Sequence, residues 1–351
     1  MFSREQFLEK YLKVPVIEVE NDVAKNPLVS VCVQTYNQQD FISQCLDGIL
    51  EQKTNFDFEI LVGEDESSDN TRAVCLDYAA RYPDRLRLFL HSRENNIEVY
   101  GKPTSHFNFK YNMYSARGKY IAICEGDDFW NNPLKLQNQV NFLEQNKEYG
   151  LVYTDVNLLT GNENKKIEGD DRLKNFEKRY DRIKERQRTG HVFWDLLEKN
   201  SVNTLTVCTS RDLIIDYINR FSKELFAYDH RLWLHVATYR KIKFIDEKWG
   251  TYRILDQGIS NSSGFFNKRT PLAKQSALIN YLSETNFNYK KIDKVIFPKI
   301  VYGILKNKDI NKEEKTPITS ILKSHPKLLL IIVIWRYKRL VSKLKKILFN
   351  G

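Results

Sequence analysis

Two stretches of the chain crowd acidic side chains together. One is Glu64-Asp65-Glu66 with Asp69, and the other is Glu125 with Asp127-Asp128. Like carboxylates at close quarters repel and raise one another's pKa unless a cation compensates. Hard oxygen ligands of this kind favour magnesium or manganese, which keep positions open for phosphate oxygens. A metal held by one or two carboxylates can bind a diphosphate and take up the charge that develops on a leaving group. A third acidic residue, Asp229 in AYDHRLWLHVA, stands near the start of an amphipathic helix, where the N-terminus favours the ionised carboxylate. Within reach of a hydroxyl, such a carboxylate removes its proton. Each group also has a plain structural alternative: Asp65, Ser67 and Ser68 as helix caps, Asp127-Asp128 as a turn before Asn132-Pro133, and Asp229 as an N-cap.

Whether these groups meet depends on the elements that carry them. LVSVCV (28–33), FEILVG (58–63), LRLFLH (86–91), KYIAIC (119–124) and YGLVYTDV (149–156) read as buried strands. Between them, QDFISQCLDGILEQ repeats apolar residues at helical spacing (Phe41, Cys45, Ile49), and further helices are expected up to about Tyr82, from about Asn108 and after Asn132-Pro133. Ser3 with Gln6 forms a capping-box pattern for a short opening helix. Strands at KIKFID and WGTYRI and at 203–210 follow. This alternation predicts an α/β fold, a mostly parallel sheet flanked by helices. In such sheets ligands sit at the carboxyl ends of the strands. Gln34-Thr35-Tyr36-Asn37 follows the first strand, Gly63 to Thr71 the second, and Glu125 to Trp130 the fourth, so both acidic clusters are delivered to one rim.

The successive segments VSVCVQTYNQQDFISQCLDGIL, FEILVGEDESSDNT and ARGKYIAICEGDDFW resemble, in order and spacing, the motifs of family 2 glycosyltransferases of the GT-A fold. The resemblance covers about Leu28 to Asp155, is weaker over 200–260, and is absent from the insertion and the tail. It implies a GT-A-type, Rossmann-like sheet and inverting transfer of a sugar from a uridine-linked nucleotide-diphosphate sugar, with Mn2+ or Mg2+. The acceptor it implies is a saccharide or lipid-linked glycan in surface polysaccharide biosynthesis. By position, Tyr36 and Asp65 match the family's nucleotide-base contacts, with Gln34 on the same loop. A carboxylate there can accept the ring N–H of uracil or thymine. Asp127 and Asp128 match the DxD-type metal motif, although Glu125 stands at its first position. Asp128 ranks first as metal ligand, Asp127 next (ribose or metal), and Glu125 third. Asp229 matches the catalytic base, with His230 and Arg231 as weaker neighbours. Trp130, beside the metal motif, is the tryptophan best placed to stack on a sugar, and Arg253 reads as a structural ion-pair partner.

The chain of 351 residues carries a net charge of +10. From Lys315 onward there are nine basic and no acidic residues, which leaves 46 basic against 45 acidic in the rest. A balanced body argues against nucleic acid as partner, and the tail points to an anionic surface. KLLLIIVIWRYKRLVSKLKKILF fits a basic amphipathic helix lying in a membrane interface; a helix packed on the body is the alternative. The five cysteines form no CxxC pair and read as buried thiols in a reducing compartment. The charged N-terminal stretch lacks the apolar core of a secretory signal. The expected localisation is cytoplasmic, peripheral on the cytoplasmic membrane face. These observations divide the chain into an N-terminal helical lead-in (1–27), a catalytic domain (28–260) and a C-terminal helical region (271–351). The catalytic domain comprises a nucleotide-sugar-binding half (28–155), a charged insertion (161–190) and an acceptor-binding half (200–260). A catalytically inactive GT-A-like nucleotide- or glycan-binding protein is the competing function.

Overall fold

The computed structural model describes residues 3–99, 101–160, 180, 185, 187–220, 228–255, 266–284 and 291–349. All but a few residues of the 161–190 insertion lie outside them. The chain divides into two units, Met1–His191 with Ser201–Glu224 and Tyr239–Gly258, and Val192–Asn200 with Leu225–Thr238 and Ile259–Gly351.

The first unit is built on a nine-stranded sheet. Its strands are β1 (Ile17–Glu18), β2 (Val29–Thr35), β3 (Phe58–Glu64), β4 (Leu86–Leu90), β7 (Tyr120–Ile123), β8 (Phe129–Trp130), β9 (Tyr149–Thr160), β10 (Cys208–Ser210) and β11 (Lys241–Ile254). A separate hairpin pairs β5 (Ile97–Val99) with β6 (Lys102–Thr104). The sheet order is β1-β4-β3-β2-β7-β10-β9-β11-β8. Neighbours β4, β3, β2 and β7 are parallel, as are β9 and β11, while β1, β10 and β8 run against their neighbours. The expected mostly parallel sheet is therefore present, with antiparallel strands at both edges and one inserted beside β7.

Local sequence explains the central part. All seven residues of β3 are buried, and β2 is buried apart from a half-exposed Gln34, as befits strands covered on both faces. The helix α1 (Arg4–Tyr11) has the expected capping box from Ser3 and Gln6. Helices α2 (Ile42–Leu50), α3 (Thr71–Arg81), α4 (His106–Ser115) and α5 (Lys135–Gln145) follow their strands. On α2, Ile42, Cys45, Leu46 and Ile49 are buried at helical spacing. Asp69 anchors the start of α3, its carboxylate accepting from the Thr71 N–H at 2.9 Å. Under the sheet, Glu59 is fully buried and accepts from Ser30 Oγ at 2.6 Å, Arg117 N–H at 2.8 Å and Arg87 Nη1 at 3.1 Å.

Two expectations need correction. KIKFID and WGTYRI form one strand, β11, whose register against β9 shifts around Ile245–Gly250. Those irregularities absorb exposed Asp246-Glu247-Lys248, which split the apolar pattern in sequence. The strand expected over 203–210 is reduced to β10, because Thr204–Thr206 form a 3-10 turn.

The second unit is helical among its described residues. It comprises Phe193–Glu198, most of Tyr228–Tyr239, Phe266–Glu284, Ile296–Lys306, Lys312–Ser324 and Pro326–Phe349. Phe193 stacks on Tyr281 at 4.0 Å between ring centroids, and Trp194 Nε1 donates to the Lys291 carbonyl at 2.9 Å.

Candidate active site

The parallel order β4-β3-β2-β7 brings four strand ends to one rim of the first unit. The loops leaving them are tied together by backbone. The Asp65 N–H donates to the Thr35 carbonyl at 3.1 Å, and the Gly126 N–H to the Gln34 carbonyl at 3.1 Å. Gly126 is required by this approach, since a Cβ there would fall 2.9 Å from Thr35 Cβ and 2.4 Å from Gln38 Oε1. Asn37 and Glu66 adopt left-handed backbone, with φ of 51° and 57°. For glutamate this conformation costs about 1–2 kcal/mol. Both residues interlock loops: Asn37 Oδ1 accepts from the Ser68 N–H at 2.8 Å, and Glu66 Oε2 from the Arg93 N–H at 2.6 Å.

Asp65 sits deep in this rim, 4% exposed. Its Oδ2 accepts from Asn96 Nδ2 at 3.0 Å and from Arg93 Nη1 at 3.1 Å. Its Oδ1 is buried with no hydrogen-bond partner among the described residues. Burial pushes the carboxyl up to about 6, against the pull of Asn96 and Arg93. The Arg93 guanidinium also lies over the Tyr36 ring at 3.9 Å, and Tyr36 is 40% exposed. Tyr36 and Asp65, matched together to base contacts in the sequence, are thus joined by one arginine. Gln34 is adjacent, its amide nitrogen buried without a hydrogen-bond partner among the described residues.

The turn Glu125-Gly126-Asp127-Asp128 leaves β7 for β8. Asp128 is buried, and its Oδ1 accepts from the Arg253 N–H at 2.8 Å. Burial, with Asp127 and Glu125 close by, pushes its carboxyl well above the usual range. Asp127 is half-buried; burial raises its carboxyl too, against the pull of Arg253 and Gln38. Arg253 is itself buried. Its Nε donates to the Asp127 carbonyl at 2.8 Å, its Nη2 to Gln44 Oε1 at 2.6 Å, and its guanidinium packs over Phe41 at 4.6 Å. Through its N–H on Asp128 and its Nε on the Asp127 carbonyl, Arg253 holds the turn's shape.

Among the described residues, no group of three His, Cys, Asp or Glu side chains is arranged to hold a metal alone. Two adjacent carboxylates, both raised by burial and one of them also by its neighbour, are still a donor set for a divalent cation that takes its remaining ligands from phosphate and water. Asp127 and Asp128 fit that group.

Asp229 belongs to the second unit. It is half-buried in the first turn of the Tyr228–Tyr239 helix, and its Oδ2 accepts from Asn200 Nδ2 at 3.1 Å. Burial raises its carboxyl, against hydrogen bonds from backbone and Asn200. Neighbouring His230 is buried with Nε2 on the Leu196 carbonyl at 2.7 Å, and burial lowers it to about 4, which leaves it a neutral packing residue.

Trp130 is corrected from sugar platform to core: it is buried, with Nε1 donating to the Leu205 carbonyl at 2.6 Å. Arg93 was missed as a site residue, yet the strand-end rule applied to β4 points to the loop that carries it. The remote partners of Arg253, and the need for Gly126, had no local signal.

Residues 30–197 match the profile of the family described as Glycosyl transferase family 2. An uncharacterized protein of Mycobacterium tuberculosis is 40% identical over 131 residues, which is 37% of this chain and 36% of that protein. The match thus spans about a third of the length of this relative. The Escherichia coli protein WfgD, named as a UDP-Glc:alpha-D-GlcNAc-diphosphoundecaprenol beta-1,3-glucosyltransferase, is 25% identical over 279 residues, 75% of this chain and 97% of that protein. Among solved structures, Staphylococcus aureus TarS in complex with UDP-GlcNAc aligns at a TM-score of 0.49 and 16% identity, over 79% of this chain and 81% of that one.

Proposed function

Because residues 30–197 match the profile of glycosyl transferase family 2, we propose that this chain is a metal-dependent inverting glycosyltransferase. It takes a uridine-diphosphate sugar as donor and a saccharide or lipid-linked glycan as acceptor. The observation that carries this reading is the buried, unpartnered Oδ1 of Asp65 beside exposed Tyr36, with Arg93 engaging both residues. A carboxylate oxygen so held is an acceptor waiting for a ring N–H, and the tyrosine face is a platform for the base. Gln34, next to last in β2, supplies an amide donor close by. The name of the Escherichia coli relative supports a uridine donor and a lipid-linked acceptor.

Asp127 and Asp128 would hold Mn2+ or Mg2+, with Asp127 also in line for the ribose. A divalent cation bound there neutralises charge on the departing diphosphate. Arg253 fixes the turn so that both carboxylates keep one geometry. Asp229 removes the proton of the acceptor hydroxyl as that oxygen attacks the anomeric carbon, and its raised pKa brings it closer to the pH at which a general base works best. The test is titration of the full chain with uridine diphosphate in Mn2+ and in EDTA, followed by donor turnover. Metal-dependent binding that Asp128→Ala removes is expected. Binding indifferent to EDTA and to that substitution would discard the metal assignment.

A catalytically inactive nucleotide-binding protein is the second reading. It draws support from the commitment of Asp128 Oδ1 to the Arg253 N–H, which leaves one oxygen for a cation. Donor binding without transfer or hydrolysis would favour it.

A further inference from the structure

The helix Pro326–Phe349 has two apolar faces. Leu328 and Ile332 are buried within the second unit, where the helix packs against Ile296–Lys306 and Lys312–Ser324, and Trp335 meets Tyr302 at 5.9 Å between ring centroids. A second set points outward: Leu329, Leu330, Val333, Ile334, Tyr337 and Leu340 are each between 46% and 68% exposed. At about 100° per residue these six fall within one arc of about 140°. Lys327 and Lys338 border one edge of that arc, and Arg336 the other. All three are exposed. A continuous apolar strip of this size is rare on a surface without a partner.

We propose that this outer face docks on an anionic phospholipid surface, the helix lying in the plane of the interface. Charge selects the occupant, because from Lys315 onward the chain has nine basic and no acidic residues. Apolar side chains enter the acyl boundary while the lysines and Arg336 at its edges reach headgroup phosphates, with Tyr337 at the level where aromatic rings settle. No single helix among the described residues is long and apolar enough to cross a membrane; Lys312–Ser324 and Pro326–Ser342, bent by 102° at their junction, reach that length and composition only together. The docking needs neither donor nor metal, so its failure is separate from failure of the transferase assignment.

The experiment is flotation of the full chain with vesicles of phosphatidylcholine alone and of phosphatidylcholine with phosphatidylglycerol. The parent is expected to float with the anionic vesicles and to lose that preference at high salt. Lys327→Gln, Arg336→Gln and Lys338→Gln together should weaken partitioning roughly a hundredfold, each basic residue near anionic lipid being worth about fivefold. Leu330→Ser, Val333→Ser and Tyr337→Ser together should abolish it, with circular dichroism and Tm unchanged. Independently of that variant's folding, Tyr337→Trp should add fluorescence that brominated lipid quenches. A parent that stays with the buffer overturns the proposal. So does a folded apolar-face variant that floats like the parent, or a strip that instead dimerises the chain with no vesicle binding.

Discussion

Replacing Asp65 by asparagine should make the protein more stable and a poorer nucleotide binder at once. Asp65 is 4% exposed, and burial moves its carboxyl from the usual 3.8 to about 6. The folded state therefore holds the proton more tightly than the unfolded chain. Its stability is full below the unfolded value, falls as pH rises from about 4 to about 6, and is lower by about 3 kcal/mol above pH ~7. Asparagine has no such ionisation. The variant should unfold at higher urea above pH ~7, by up to about 3 kcal/mol, and the gap should close below pH ~4. Arg93 loses its ion pair, but it is one-third exposed and stays stacked on Tyr36. Binding moves the other way. Arg93 and Asn96 both donate to Oδ2, so the amide oxygen of asparagine must face them. The position of the unpartnered Oδ1 then becomes an NH2, a second donor toward the uracil N–H. Affinity for uridine diphosphate should fall about tenfold or more. Urea midpoints across pH and calorimetric titration of both proteins test this. A stability gap that does not vary with pH refutes the burial argument, and unchanged nucleotide affinity refutes the role of Asp65.

Other outcomes follow from the same packing. Gly126→Ala places a Cβ against Thr35 and Gln38, so it should cost about 1–3 kcal/mol in urea unfolding and weaken Mn2+-dependent nucleotide binding. Glu59→Ala removes one of the two carboxylates paired with buried Arg87, Glu18 remaining at 2.8 Å, and takes the acceptor from Ser30 Oγ and the Arg117 N–H; it should cost about 1–3 kcal/mol, read as a lowered thermal midpoint. Lys135 is fully buried, lies over Trp130 at 3.9 Å, and is lowered from 10.5 to about 8 by desolvation. The folded state releases that proton first, so stability of the parent should rise with pH from about 8 toward 10.5, a slope that Lys135→Met lacks. Asp229→Asn should abolish transfer while donor affinity, measured by titration, stays within about twofold; weakened donor binding would point to a different role.

Much of the first unit was legible because its signals are local. Apolar runs such as VSVCVQT and FEILVGE mark strands buried on both faces whatever surrounds them, and Asn132-Pro133 and Asp69 mark helix starts through bonds to their own backbone. The strand-end rule then needed only their order to bring Tyr36, Asp65 and Asp127-Asp128 to one rim. It failed where the decisive partner is remote. Arg253 reaches the turn from 126 residues away and Gln44 from 209 away, distances at which periodicity carries no information. Trp130 read as a sugar platform because nothing local announced that Leu205 would receive its N–H.

The sequence by itself determined the strand–helix alternation, the placement of its carboxylates at strand ends and the concentration of positive charge in the tail, since each depends on side chains within a few residues of one another. Tertiary structure alone decided that β10 would run antiparallel between β7 and β9, that Arg93 would join Tyr36 to Asp65, and that the last helix would leave one of its apolar faces to solvent. Those outcomes turn on which surfaces desolvate one another, and desolvation is a property of the assembled neighbourhood rather than of any residue in it.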